Sequence, residues 1–423
     1  MHYEKKTFKN GLRCIVAPMP DTEAVTLWVL FGTGSKYETK KINGISHFLE
    51  HLFFKGTKKR PRPGQIWREL DKTGSQKNAF TSKEYTGYYV KSASKFFDIS
   101  LDVVSDILLN PLFKKEEIEK ERGVILQEIS MYEDDPRRQV YEVLEETLYG
   151  DCPAGWDTAG YPGTVKNITR NDILNYRKTH YLASNAVVVV AGNVLKDKVF
   201  AKVEKAFYSM PDGRKVNKSK VVEKQLRPVV KFKKKDADQT HVRIAVRAYD
   251  FYDELRFPLM ILQTILGGNS SSRLWTEIRE KLGLTYYVSA SAEQYTDTGY
   301  MVAGAGVPHG TLPKVVKKIV QIFKDIKTKG VTDAELKLAK EFIAGSMPLA
   351  FESTDEVATY LASQELFYGK VMLPEEILSK VEKVTRSEVN AVAKDIFKPS
   401  KINMAAIGPH DDTKIYEKIL NNL

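Results

Sequence analysis

Apolar residues follow two rhythms along this chain, strict alternation and a three-to-four spacing, and each rhythm predicts its own element. Residues 12–17 (LRCIVA) and 25–31 (VTLWVLF) read as strands, and Asn10-Gly11 between Phe8 and Leu12 signals a hairpin turn. Gly32 to Ser35 opens a charged loop that leads into an apolar helix around His47, which Gly56 ends, with Pro61 and Pro63 beyond it. Ile66 to Asp71 begins another helix. Residues 78–91 (NAFTSKEYTGYYVK) alternate aromatic and small polar side chains, which predicts a strand pair. Helical spacing resumes over 94–109, from Lys114 to about Glu133, over 137–149 and over 169–180. Ala186 to Ala191 then reads as a buried strand closed by Gly192.

The second half repeats this order. Ile66-Trp67-Arg68-Glu69-Leu70 is answered by Leu274-Trp275-Thr276-Glu277-Ile278, and Thr86-Gly87-Tyr88-Tyr89-Val90 by Thr298-Gly299-Tyr300-Met301-Val302. Thr169-Arg170, a helix, Ser184 and the strand to Gly192 return as Thr385-Arg386, a helix, Ser400 and Gly408. The offsets are 208, 212 and 216, so the echoes keep their order and argue for duplication of one α+β unit. The duplication predicts an N-terminal domain over 1–212, a Lys/Val-rich linker over 213–228 and a homologous domain over 229–423. Its offset sets the helix around His47 against Leu255-Arg256-Phe257-Pro258-Leu259, which holds no metal-ligand set.

A chain of 423 residues is too long for one ordinary core, in keeping with two domains. The apolar share of 42% and charged share of 28% are those of a soluble globular protein. No run approaches the ~18–20 apolar residues that cross a bilayer, so no membrane association is expected. Met1 to Phe8 shows neither a signal-peptide core nor a presequence, which predicts a cytoplasmic protein. Lys plus Arg exceed Asp plus Glu by 65 to 54, but the surplus is spread and interleaves with no aromatic module, so nucleic acid is not an expected partner. Cys14 and Cys152 imply no disulfide framework and stand at no metal-ligand spacing.

The chemistry concentrates in His47-Phe48-Leu49-Glu50-His51. Residues four apart share a helix face, with about 5–6 Å between Cβ atoms, so both imidazoles can reach one ion. Glu50 lies on the same side, and the rest of the helix is apolar, so three polar groups would be buried at a cost unless something satisfies them. Zinc takes neutral imidazole nitrogens, and a neighbouring carboxylate can act as general base. The order H-x-x-E-H is the inverted zinc-peptidase signature. A catalytic zinc takes a third protein ligand. His180 in Thr179-His180-Tyr181 reads as a helix-end cap, whereas Glu128 follows Val124-Ile125-Leu126 in a segment expected to be buried. Glu121, seven residues earlier, falls near the same face. Glu128 is therefore read as the ligand and Glu121 as an orienting or proton-moving group.

With these pieces assembled, the chain resembles the pitrilysin/insulinase family of zinc peptidases, in the branch of chains of this length that includes the mitochondrial processing peptidase. The resemblance rests on His47 to His51 with Phe54-Lys55-Gly56-Thr57, on Asn78-Ala79-Phe80-Thr81-Ser82, and on Glu121-Arg122-Gly123-Val124-Ile125-Leu126-Gln127-Glu128. Ser272-Arg273-Leu274 and Arg279-Glu280-Lys281 through Tyr286 fit in the second half.

It implies two homologous α/β-sandwich domains, each a mainly antiparallel sheet covered by helices. It implies one Zn2+ per chain on His47, His51 and Glu128, Glu50 as general base on zinc-bound water, and Glu121 as the assisting carboxylate. Asn78, Ala79 and Phe80 would lie on an edge strand that pairs with an extended peptide, and Arg279 with Tyr286 would contact substrate near the scissile bond. The implied activity is zinc-dependent endopeptidase cleavage of extended or unfolded oligopeptides inside a chamber. A dedicated processing peptidase shares that chemistry, and a structural subunit of the same family is the non-enzymatic alternative. Because Arg279 and Tyr286 stand in the half without zinc, a homodimer that completes each site in trans is expected.

Overall fold

The structure is a computed structural model and describes all residues, Met1–Leu423. Six strands make one sheet: β1 (Glu4–Thr7), β2 (Arg13–Pro18), β3 (Ala24–Phe31), β4 (Gln76–Thr81), β5 (Thr86–Ala93) and β6 (Ala186–Gly192), in the order β1-β2-β6-β3-β5-β4. Five make the other: β7 (Val229–Lys234), β8 (Thr240–Ala248), β9 (Tyr287–Gln294), β10 (Gly299–Val307) and β11 (Ile402–Gly408), in the order β7-β11-β8-β10-β9. The pairs β2/β6 and β7/β11 are parallel and every other pair is antiparallel. The path β2-β6-β3-β5-β4 is thus the path β7-β11-β8-β10-β9, and the repeat legible in the letters is a repeat of topology. The Asn10-Gly11 signal is realised: β1 pairs with β2 across a turn in which Gly11 takes φ +83°.

The first half contributes helices α1 (Ile45–Phe53), α2 (Gln65–Asp71), α3 (Phe97–Leu109), α4 (Lys115–Asp134), α5 (Pro136–Tyr149), α6 (Pro162–Asn167), α7 (Arg170–His180) and α8 (Lys196–Ala206). The second contributes α9 (Arg256–Gln263), α10 (Leu312–Lys329), α11 (Asp333–Leu349), α12 (Thr354–Tyr368), α13 (Pro374–Lys383), α14 (Arg386–Ile396) and α15 (Lys414–Leu420). The echo at offset 216 is clearest in α7 and α14. Each opens on a threonine capping box, Thr169 with Asp172 and Thr385 with Glu388, and each leads into an interior strand of its sheet, β6 or β11.

Strand alternation explains the near-continuous apolar runs. In β3, Val25, Leu27, Val29 and Phe31 enter one core, while Trp28 and Leu30 enter another on the opposite face. The run Val187 to Val190 divides in the same way, so a sheet covered on both faces needs no polar side. The first face is covered by α1, α3, α7 and α8, and the second by α12.

That last helix comes from the far half of the chain. The compact units are Met1–Ile129 with Asp157–Ser219 and Met347–Pro374, and Ser130–Trp156 with Lys220–Ser346 and Glu375–Leu423. They differ from a single cut at the linker because each takes one helical segment from the other half. Helix α12 lays Val357, Ala358, Leu361 and Ala362 on the first sheet, and α5 lays Val140, Val143, Leu144 and Leu148 on the second. Local spacing carries no information about which sheet either segment covers. No helix is long and apolar enough to cross a membrane.

Candidate metal centre

Helix α1 holds the first two candidate ligands, and its N-terminal end is pinned. Gly44 precedes it at φ +95°, and a Cβ there would stand 2.7 Å from the Ala159 carbonyl oxygen, so the close approach and the left-handed backbone both require glycine. The buried Glu38 carboxylate reaches the same end. Its Oε2 accepts from the Gly44 N–H at 2.7 Å and from Asn43 Nδ2 at 2.9 Å, and its Oε1 accepts from the Ser46 N–H at 2.8 Å. An anion at a helix N-terminus satisfies donors that the helix leaves unpaired. Burial pushes this carboxyl up to about 7 against the pull of those donors. In the loop that follows the helix, the buried Arg60 guanidinium binds Asp106 at 2.8 Å and Asp102 at 2.6 Å, both on α3, and Glu69 on α2 at 2.7 Å. Ile45, Phe48, Leu49, Leu52 and Phe53 face the core, which leaves His47, Glu50 and His51 on the other side of the helix.

The third candidate comes from α4, where Glu121 and Glu128 stand two turns apart on one face. Glu128 Oε2 lies 3.6 Å from His47 Nε2 and 3.3 Å from His51 Nε2, and the two imidazole nitrogens are 3.3 Å apart. A tetrahedral ion with bonds of about 2.0–2.1 Å sets its ligand atoms roughly 3.3–3.5 Å apart. The three donor atoms therefore already form one face of such a tetrahedron. They are the one group of three side chains of these types placed to hold a metal, and the donor set of two imidazoles and a carboxylate suits zinc.

Glu121 is not a member of that face. Its Oε2 meets His51 Nδ1 at 3.2 Å, and its Oε1 takes an ion pair from Lys55 Nζ at 2.6 Å. This is the carboxylate–histidine arrangement that fixes a ligand ring and its tautomer. Burial works against a charged His51, but the Glu121 and Glu128 carboxylates outweigh it and hold the metal-free imidazole at about 9. Burial likewise raises Glu121, yet His51 and Lys55 together hold it below the usual carboxylate range. Glu50 is pushed up by burial, partly offset by a hydrogen bond that its Oε2 accepts from the Thr81 hydroxyl at 2.6 Å. The charges of His51 and Glu128 also act on it, so it belongs to the same cluster.

The remaining expected residues fall elsewhere. Asn78, Ala79 and Phe80 lie on β4, at the open edge of the first sheet, with Asn78 exposed and Phe80 against Trp28. In the second unit, Arg279 sits in a widened helical turn, Trp275–Glu280, with its guanidinium carbon 4.5 Å from the Trp275 ring centre and 5.2 Å from that of Tyr286. Tyr286 is 78% exposed, which suits a contact residue more than a core tyrosine. His180 ends α7, stacked on Tyr176 with Nδ1 on the Tyr176 carbonyl, and takes no part in the cluster. Sequence reading gave no role to Glu38, Lys55 or Thr81. Lys55 and Thr81 stand inside quoted motifs, but what each side chain touches is set by elements far away in the chain.

Comparison with known proteins agrees with this geometry. The family description "Insulinase (Peptidase family M16)" matches residues 13–160, and "Peptidase M16 inactive domain" matches residues 167–343. An uncharacterised zinc protease of Bacillus subtilis is 34% identical over 394 residues, covering 93% of this chain and 95% of its own. The chain belongs to the insulinase family of zinc peptidases, peptidase family M16. Within that family, an uncharacterised zinc protease of Mycobacterium tuberculosis is 33% identical over 417 residues, covering 96% of this chain and 93% of its own. The crystal structure of a protease from Helicobacter pylori superposes with a TM-score of 0.89 at 26% identity, over 96% of this chain and 99% of that one. The M16 fold is also shared with a Pseudomonas fluorescens structure described as a peptidase M16 inactive domain, at TM-score 0.89 and 18% identity.

Proposed function

We propose that this M16 peptidase is a zinc-dependent endopeptidase that hydrolyses extended or unfolded oligopeptides, with Glu50 as its general base. The observation that carries the reading is the set of three ligand atoms, mutually 3.3–3.6 Å apart, with Glu50 directly before the ligand His51. His47, His51 and Glu128 would hold the ion. Bound zinc would supply Lewis acidity, polarising the scissile carbonyl and acidifying the attacking water. Glu50 takes the proton of that water and returns it to the leaving amine. Glu121 keeps the His51 ring in the tautomer that presents Nε2 to the site. The open edge of β4 offers main-chain groups to an extended peptide, which gives affinity with modest side-chain specificity.

Arg279 and Tyr286 complete the reading as the substrate-contacting pair. Their place in the unit without ligands motivates the homodimer in which each chain supplies that pair to the other. A structural-subunit role is disfavoured by the complete ligand set and base. A general cytoplasmic peptidase and a dedicated processing peptidase share every residue named, and a cleavage profile against an unbiased peptide library separates them.

The deciding experiment is Glu50→Gln. It removes the base and none of the ligands, so zinc content should stay near one per chain while hydrolysis of a fluorogenic peptide library falls at least about 100-fold. Near-normal turnover in this variant would exclude the proposed base.

A further inference from the structure

Strand β4 ends on a residue that reaches α1. Along β4 the side chains alternate: Phe80 turns to the face that holds Trp28, and Ala79 packs against the core on the face that holds α1. Thr81 shares the face of Ala79, and its hydroxyl donates to Glu50 Oε2 at 2.6 Å. That length lies within the ordinary range for a hydroxyl-to-oxygen hydrogen bond. The backbone beneath the hydroxyl is held as well. Thr81 pairs with Thr86 on β5, and the following turn is closed by the Ser82 N–H on the Tyr85 carbonyl at 2.8 Å. Glu50 has three side-chain torsions, and the helix fixes none of them beyond the first. The hydroxyl supplies an anchor at the carboxylate end.

We propose that Thr81 is a positioning residue for catalysis: its hydroxyl fixes the Glu50 carboxylate in the orientation from which it accepts and returns the proton. The inference rests on the assignment of Glu50 as base. It adds that the anchor stands on the sheet's edge strand, so the strand that offers its backbone to an extended peptide also holds the base in register with it. Threonine is required there for its hydroxyl and not for its β-branch. A one-residue slip of β4 would present Phe80 to Glu50 and remove the donor.

The test measures kcat, KM and zinc content for Thr81→Val and Thr81→Ser, each in the wild-type and Glu50→Asp backgrounds. Thr81→Val keeps the shape and loses the hydroxyl. It should lower kcat about 10- to 100-fold, the scale of a misplaced catalytic group, with KM within about 2-fold and zinc retained. Thr81→Ser restores the donor and should return kcat to within about 3-fold of wild type. In Glu50→Asp the carboxylate is drawn back by one methylene and no longer meets Thr81, so adding Thr81→Val should cost no more than about 2-fold.

An unchanged kcat in Thr81→Val, an equal loss in Thr81→Ser, a loss confined to KM, or loss of zinc would each overturn the inference. Should the valine variant fail to fold, Thr81→Ala takes its place under the same criteria. The two readings fail separately. A wild-type chain that cleaves no peptide, or an active Glu50→Gln, removes the proposed function. An inactive Glu50→Gln beside a fully active Thr81→Val removes only the role of Thr81.

Discussion

The Glu121 carboxylate meets Nδ1 of His51 at 3.2 Å, on the side of the ring away from the nitrogen that faces Glu128. Two glutamates on one helix thus share one histidine between them, and the shared ring separates their roles. A carboxylate on Nδ1 can orient the ligand and raise its basicity but cannot itself close the ligand triangle. Lys55, at 2.6 Å from the other oxygen, holds Glu121 ionised and in place.

The two glutamates should therefore fail differently. Glu128→Ala removes a donor atom, so a chelator competition should show zinc lost under conditions that leave the wild type loaded. Glu121→Ala should weaken zinc by about 10- to 100-fold, the usual cost of losing an outer hydrogen-bond partner, and still load at high zinc. Lys55→Met should shift affinity in the same direction by less. An empty site in Glu121→Ala beside a loaded one in Glu128→Ala would reverse the assignment.

The same pair marks where sequence reading stopped. The apolar neighbours of Glu128 predict a buried carboxylate, yet its side chain is 19% exposed against 6% for Glu121, and Val124 is exposed. The ligand reading rests on which atom faces the histidines, and apolar neighbours along α4 did not report burial. The duplicated topology was legible because repeated capping boxes and strand runs are local signals that survive in the letters. The helix exchange, the Glu38 anchor and the Thr81 contact were not. Each joins residues distant in sequence, and no local period records which partner a polar side chain finds.

His180 gives a prediction about stability and pH. Burial lowers its pKa below the ordinary histidine value, against the hydrogen bond to the Tyr176 carbonyl. The unfolded chain, with a histidine pKa of about 6.5, then binds the proton first as pH falls. More protons on the unfolded state mean that stability rises with pH, so this contribution is complete above about pH 6.5 and drains away below it. His51, at about 9, and Glu38, at about 7, pull the other way over the same range, so the test is a difference: from about pH 7.5 to 5.5 the urea midpoint of the zinc-free wild type should fall relative to that of His180→Asn. Working without zinc makes the titration of the ligand histidines common to both proteins. A midpoint difference between the two proteins that does not change with pH would show that His180 is not held below its ordinary value.

The homodimer proposal has its own test, because Arg279 and Tyr286 belong to one unit and the candidate ligands His47, His51 and Glu128 to the other. Two inactive variants, Glu50→Gln and Arg279→Ala, are dissociated, mixed in equal amounts and reassociated. In a mixed dimer, the Arg279→Ala chain keeps a sound zinc site and Glu50, and its partner supplies Arg279 and Tyr286. Random pairing makes half the dimers mixed, each with one good site, so roughly a quarter of wild-type sites should return. The measurement is peptide hydrolysis after mixing, with subunit exchange followed separately by a fluorescence label on each variant. Two parents that stay inactive after demonstrated exchange would mean that the pair serves its own chain, or that the working species is a monomer. A recovery near one quarter would assign each site to two chains, since neither parent supplies both a base and a contact pair to any site of its own.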